Sequence, residues 1–158
     1  MGQDDKLLLG EAAEHLVISR VLREGMLAGQ APRGWKHDDI VVTPIDRSRI
    51  LTIQVKATDK TSRTGWMVGG VVAAPNRFCA LVDYQDRANP AVFLLPSAEV
   101  VRASNLADAR YHELRSGAAF TKMRKIQDPF PRGFDLDGLE PDWLTRHWRE
   151  RWDLLGET

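Results

Sequence analysis

Residues 38–58 read DDIVVTPIDRSRILTIQVKAT, and the alternation within this segment decides the fold. Residues 39–43 and 50–57 are predicted strands, rich in Ile, Leu, Val and Thr, with Ile45, Asp46, Arg47 and Ser48 as the hairpin turn between them. Successive side chains of a strand leave on opposite faces. On the second strand Leu51, Ile53, Val55 and Ala57 therefore share one face, while Ile50, Thr52, Gln54 and Lys56 share the other. The polar residues are segregated onto one face, at its C-terminal end. On the first strand Asp39, Val41 and Thr43 lie together, with Ile40 and Val42 opposite. A hairpin symmetric about Asp46 and Arg47 sets Asp39 across from Gln54, at a Cβ separation of about 4.5–5.5 Å. A slip of one residue abolishes the pairing.

In that register a carboxylate, a carboxamide oxygen and an ammonium converge. The two oxygens suit a hard cation such as Mg²⁺, which typically takes one or two carboxylates and fills its remaining positions with water and substrate phosphate. A lysine beside them can bind a phosphate or steady an attacking hydroxide, which makes a site for metal-assisted phosphodiester hydrolysis. The competing reading is a half-solvated strand, with Asp39 as a turn residue at its start. On spacing alone both readings stand.

Outward from the hairpin, residues 5–24 are predicted as a helix. Asp4 or Asp5 can cap it, Leu9, Ala13, Leu16, Val17 and Val21 form its apolar stripe, and Gly25 ends it. The segment GQAPRGW is expected to be a loop, and WMVGGVVAA is ambiguous. RFCALVDY and AVFLL are predicted strands, the first apolar enough to be covered on both faces. Ser97 then caps a short helix SAEVVRAS, LADARYHELRS makes a second one ending at Gly117, and DPFPRGFDLDGLEP is a loop. Pro141 opens a last helix, DWLTRHWRERWDLL, whose stripe of Leu144, Trp148, Trp152 and Leu155 packs onto the domain or across a dimer interface.

The 158 residues are enough for one domain with a proper core. Lys plus Arg and Asp plus Glu both number 22, so any basic surface must be local and is balanced by acids elsewhere. Cys79 is the single cysteine, which excludes an intrachain disulfide and a cysteine-rich zinc site and fits a reducing, cytoplasmic setting. No apolar run reaches the length of a membrane span, and MGQDDKLLLG lacks the basic flank of a signal peptide. His15, His37, His112 and His147 show no metal-ligand spacing, and Gly69 and Gly70 lack the Lys-Ser/Thr of a phosphate-binding loop.

Taken together, GEAAEHLV, DDIVV and ILTIQVKAT resemble the PD-(D/E)XK nuclease superfamily, in its small restriction-endonuclease-like and Holliday-junction-resolvase-like branches. That pattern comprises a helical Glu a few residues after a Gly, an Asp at a strand start, and (D/E)-x-K on the next strand. Gly10 with Glu14, Asp39, and Gln54-x-Lys56 match it in order, and the resemblance covers about residues 7–103. It implies an α/β (α+β) domain spanning 1–158, with an αβββαβ core, a central mixed sheet flanked by helices, and a C-terminal helical extension over about 104–158. It also implies Mg²⁺ or Mn²⁺ held by Asp39, Gln54 and the Val55 carbonyl, Glu14 acting through metal-bound water, and Lys56 at the scissile phosphate. The implied activity is that of a metal-dependent DNA endonuclease working as a homodimer. Gln54 departs from the family's acid and removes one negative charge from the metal site. An alternative is therefore a nuclease-fold module that binds nucleic acid or a protein partner without cutting. Glu11, one turn from Glu14, rivals it for the helical role. Lys122, Arg124, Lys125 and, just after the site strand, Arg63 are candidate contacts to DNA.

Overall fold

The computed structural model describes residues 2–59, 64–114, 125–128 and 139–157. Its elements run α1 (Gln3–Arg23), β1 (Leu27–Gln30), β2 (Ile40–Thr43), β3 (Leu51–Thr58), β4 (Thr64–Met67), β5 (Arg77–Asp83), β6 (Ala91–Pro96), α2 (Ser97–Leu114), β7 (Lys125–Asp128), α3 (Trp143–His147) and a final 3₁₀ turn (Trp152–Leu155). A five-stranded mixed sheet has the order β1-β2-β3-β5-β6, and β4 pairs with β7 in a separate ribbon. Only β3 and β5 run parallel within the large sheet.

The sheet is covered on both faces. Ala13, Val17 and Val21 recur every four residues along α1, the spacing that brings side chains onto one helix face. They pack with Ile40, Val42, Leu51, Ile53, Phe78, Ala80 and Val82. The opposite face carries Cys79, Leu81, Phe93 and Leu95, packed against Trp66, Val100, Ala103 and Ile126. β5 is thus apolar on both sides, as its unbroken hydrophobic run requires. Full burial of each aliphatic side chain is worth about 1.5–3 kcal/mol.

The mixed sheet flanked by helices is the expected fold class, with several local differences. β1 falls where the sequence suggests only the end of a helix and a loop, because LAGQ is a four-residue edge strand too short and glycine-containing to register as one. The connection between parallel β3 and β5 runs through β4 and a turn at residues 68–71, closed by the Val71 amide on the Val68 carbonyl at 3.0 Å. The crossover helix of an αβββαβ order is displaced to follow β6 as α2. That helix is continuous over Ser97–Leu114, not two short pieces. Ser104 sits at its middle and turns its hydroxyl back to the Val101 carbonyl at 3.1 Å, so the Ser-Asn dipeptide does not break it. Ser97 exchanges hydrogen bonds with both the amide and the carbonyl of Ala74, tying the 68–76 loop to the start of α2.

The last predicted helix is broken. α3 ends at His147, after which residues 148–150 lie against β6 through an isolated antiparallel bridge of Arg149 with Phe93. The Leu94 amide donates to the Trp148 carbonyl and the Glu150 amide to the Val92 carbonyl, both at 2.9 Å. Glu150 adopts a left-handed φ of 51°, and the chain then turns onto the other side of the sheet. Trp143 and Leu144 join the Cys79 face, whereas Trp152 and Leu155 join the α1 face. The tryptophan stripe is therefore a strap over the sheet edge that packs onto the domain. No helix among the described residues is long and apolar enough to cross a membrane.

Candidate active site

The predicted register holds: Ile40, Val41 and Val42 pair with Ile53, Thr52 and Leu51. It changes one residue before Ile40. The Asp39 amide also reaches the Ile53 carbonyl, at 3.0 Å, so two residues of this strand face one of β3. Such a bulge re-aims the side chain it carries. Asp39 consequently does not stack directly on Gln54. Its Oδ2 instead accepts the Val55 amide at 2.7 Å, taking the place a strand carbonyl would fill, while its own carbonyl accepts the Ala31 amide at 2.8 Å. The β2–β3 ladder ends here. In a strand the N–H and C=O of one residue leave on the same edge, so the Val55 carbonyl also faces this opened edge.

Gln54 lies next to this point, and its environment is the least ordinary in the site. It is only 6% exposed, and among the described residues its Oε1 has no hydrogen-bond partner. An orphaned buried acceptor costs about 1–3 kcal/mol, so the position calls for a donor or a cation. Gln54 pairs across the sheet with Cys79, and Lys56 with Leu81. The Cys79 thiol is pushed up to about 12, chiefly by burial; the Lys56 ammonium pulls it down and the Asp39 carboxylate pushes it up. Asp39 and Lys56 thus both act on the floor of the site.

Glu14 reaches the same region from α1. Its carboxyl lies above the ordinary value because of burial, and the charges of Asp39 and Glu11 push the same way, against a hydrogen bond from Gln30. The Gln30 Nε2 donates to Glu14 at 3.2 Å and to Glu11 at 3.4 Å. One amide thus tethers both helical acids, and Asp39 acts on Glu14 directly. Beyond Lys56, a groove of about 520 Å³ crosses the open end of β3, with Lys6, Leu9 and Gly10 of α1 on one wall and Gly65, Trp66 and Met67 on the other. Lys125 lies across Gly65, where any larger side chain would collide with it. Lys122, Arg124 and Arg63 fall outside the described residues.

Two partners of the site were not legible from the sequence. Gln30 is brought in by β1, whose pairing sets Gln30 beside Ile40. Asp38 binds Thr52 Oγ1 at 2.6 Å and Arg77 through Nε at 2.8 Å and Nη2 at 3.2 Å. Burial alone would raise its carboxyl, but the Arg77 and Thr52 hydrogen bonds and the guanidinium charge outweigh that and hold it below the ordinary range. Of the two adjacent aspartates, Asp38 is held in an ion pair, whereas Asp39 enters none among the described residues and accepts the Val55 amide. Among the described residues no cluster of three or more His, Cys, Asp and Glu forms a metal cage. A cation here would rest on a mixed set of carboxylate, amide and backbone oxygens, a donor chemistry that suits Mg²⁺ or Mn²⁺.

No known family profile matches the chain, and no curated protein sequence resembles it closely enough to count. Among solved structures, it superimposes on a bacterial homing endonuclease, I-Ssp6803I, with a TM-score of 0.57 at 16% identity, over 96% of this chain and 92% of that one. The two share a fold along nearly their whole lengths.

Proposed function

We propose that the chain is a metal-dependent endonuclease that hydrolyses DNA phosphodiester bonds, of the PD-(D/E)XK type. The observation that carries this reading is the buried Gln54 Oε1, unpartnered among the described residues, one residue before the Val55 amide that the Asp39 carboxylate holds and two before Lys56, where the β2–β3 ladder opens. A fold shared with an endonuclease supports it.

Asp39, Gln54 and the Val55 carbonyl would hold Mg²⁺ or Mn²⁺, with Glu14 alongside. When bound, the cation supplies Lewis-acid stabilisation of a phosphate oxygen and makes water a stronger acid. Lys56 donates to a non-bridging phosphate oxygen and offsets the charge that builds there during attack. Glu14, with its raised affinity for a proton, accepts one from the attacking water. Gln30 fixes the Glu14 rotamer, and Asp38 with Arg77 anchors the strand start from which Asp39 projects. Lys125, with Lys122, Arg124 and Arg63, would contact the DNA backbone. Cutting both strands of a duplex is commonly done by two such sites, so the reading extends by analogy to a homodimer, and Cys79 as a free thiol agrees with the cytoplasm.

The test is cleavage of plasmid, linear, single-stranded and branched DNA with Mg²⁺ or Mn²⁺, beside Asp39→Asn and Lys56→Ala. Cutting by the parent chain that both substitutions abolish supports the reading. Cutting that persists in both sinks it. DNA binding without cutting by the parent favours the second reading, a binding module, which the neutral Gln54 in place of an acid also favours.

A further inference from the structure

Between β1 and β2 the chain makes a closed loop whose foot is Asp39 itself. The Ala31 amide donates to the Asp39 carbonyl at 2.8 Å, and inside the loop the Trp35 amide donates to the Pro32 carbonyl at 3.2 Å. Gly34 occupies the turn with φ of +97°, a conformation that L side chains rarely adopt. The loop is thus a built turn tied at both ends, and it projects Trp35. Trp66, Trp143 and Trp152 are buried, whereas Trp35 is 49% exposed. Arg33 and Lys36 flank it and are exposed, and among the described residues neither enters an ion pair. The acid that follows, Asp38, is already neutralised by Arg77.

An indole held outward between two unpaired cations, four residues from Asp39, matches what single-stranded nucleic acid requires: a stacking surface for a base, with positive charge for the phosphates on either side. A base inside a duplex keeps both faces covered, so such a platform engages only an unpaired or extruded one. We propose that the 31–39 loop binds an unstacked nucleobase of the DNA, with Trp35 stacking on it and Arg33 and Lys36 contacting the adjoining phosphates. This deepens the nuclease reading and rests on DNA being the substrate. It assigns the enzyme to single-stranded, bulged or branched DNA over uniform duplex.

The experiment is fluorescence anisotropy of the full chain in EDTA, where nothing is cut, with labelled oligothymidylate and a fully paired, blunt-ended two-strand duplex. Trp35→Ala is expected to weaken oligothymidylate binding about tenfold to a hundredfold, the range of one base–aromatic stack. Duplex binding should stay within about twofold. Trp35→Phe should retain most of the affinity, and the tryptophan quenching that oligothymidylate causes in the parent should vanish in it. Arg33→Ala with Lys36→Ala should weaken both probes and flatten the salt dependence, as lost phosphate contacts do. Equal loss on both probes in Trp35→Ala, no loss on either, quenching that survives in Trp35→Phe, or a parent that binds no oligothymidylate overturns the proposal. Parent protein that binds through Trp35 but cuts nothing with Mn²⁺ fails as a nuclease and leaves the loop assignment standing. Protein that cuts equally well with Trp35→Ala fails only here.

Discussion

The Asp39 carboxylate accepts the Val55 amide at 2.7 Å, one residue past the last regular pair of the β2–β3 ladder. A side chain has taken over a backbone's work at the point where two strands separate. The Val55 carbonyl faces the same opened edge, and the Oε1 of the neighbouring Gln54 is buried without a partner among the described residues. The candidate site thus sits at an interruption in the sheet.

Gln54→Glu should therefore behave oppositely with and without metal. In EDTA a carboxylate in the buried Gln54 position should lower stability by about 1–3 kcal/mol. With Mn²⁺ the added charge should tighten binding, and each tenfold gain in affinity adds about 1.4 kcal/mol of stabilisation when the ion is in excess. The measurement is the Mn²⁺-induced rise in Tm, which should be larger for Gln54→Glu than for the parent. Equal rises would locate the ion elsewhere.

Arg77→Met should cost about 1.5–3 kcal/mol, the range for hydrogen bonds to a charged group, because it strands Asp38 in a pair whose members are 17% and 11% exposed. Adding Asp38→Asn should recover part of the loss, since the two residues are coupled. The Asp38 carboxyl is held below its ordinary value. The contribution of the pair is thus fully present above the unfolded value of about 3.9 and disappears as pH falls through the lower folded value. Urea denaturation should show the gap between parent and Arg77→Met closing on acidification.

The strands of residues 38–58 and the polar face of β3 were legible because period-two alternation is local and β3 is long. Asp39 was identified for its acidity and its place at a strand start, but its bulge was not, since a bulge is set by the partner strand. Gln30 and Arg77 carry no local signal. Each joins the candidate site only when its strand pairs, and LAGQ is too short to announce a strand at all. α2 was split at Ser104 and Asn105 because both residues have weak helix propensity, which packing on the sheet overrides. The C-terminal stripe had helical spacing, yet its tryptophans serve opposite faces of one sheet, an outcome that periodicity alone does not distinguish from a single helix.

Cys79 should be inert in the native protein. It is fully buried with a thiol pushed up to about 12, whereas an unfolded cysteine titrates near about 8.5. A thiol reagent at mildly alkaline pH should label it in guanidinium and not in native buffer, so native labelling would contradict the burial. The raised value also has a stability consequence. Between about 8.5 and 12 the unfolded chain gives up a proton that the folded one keeps, so stability falls with rising pH by up to about 1.4 kcal/mol per unit. Cys79→Ala removes that slope, and its denaturation free energy should drop less between neutral and alkaline pH than the parent's.

Trp152→Ala separates the strap from a dimer interface. Glu150 holds the strap through four bonds: its amide to the Val92 carbonyl at 2.9 Å, Oε1 to the Val92 amide at 3.3 Å, and Oε2 to Arg20 at 3.1 Å and to the Trp152 indole at 2.6 Å. Beyond it, Trp152 fills the α1 face at 7% exposure. Truncating a large buried aromatic costs about 3–5 kcal/mol, so Trp152→Ala should lower the denaturation midpoint sharply with no change in sedimentation coefficient while the chain is folded. A variant that kept its stability and changed its association state would instead make Trp152 an intersubunit residue. Glu150 adds an internal control. At its left-handed φ of 51°, Glu150→Gly should be less damaging than Glu150→Ala by about 1 kcal/mol. Both should be less stable than the parent, because the bonds to Arg20 and Trp152 are lost either way.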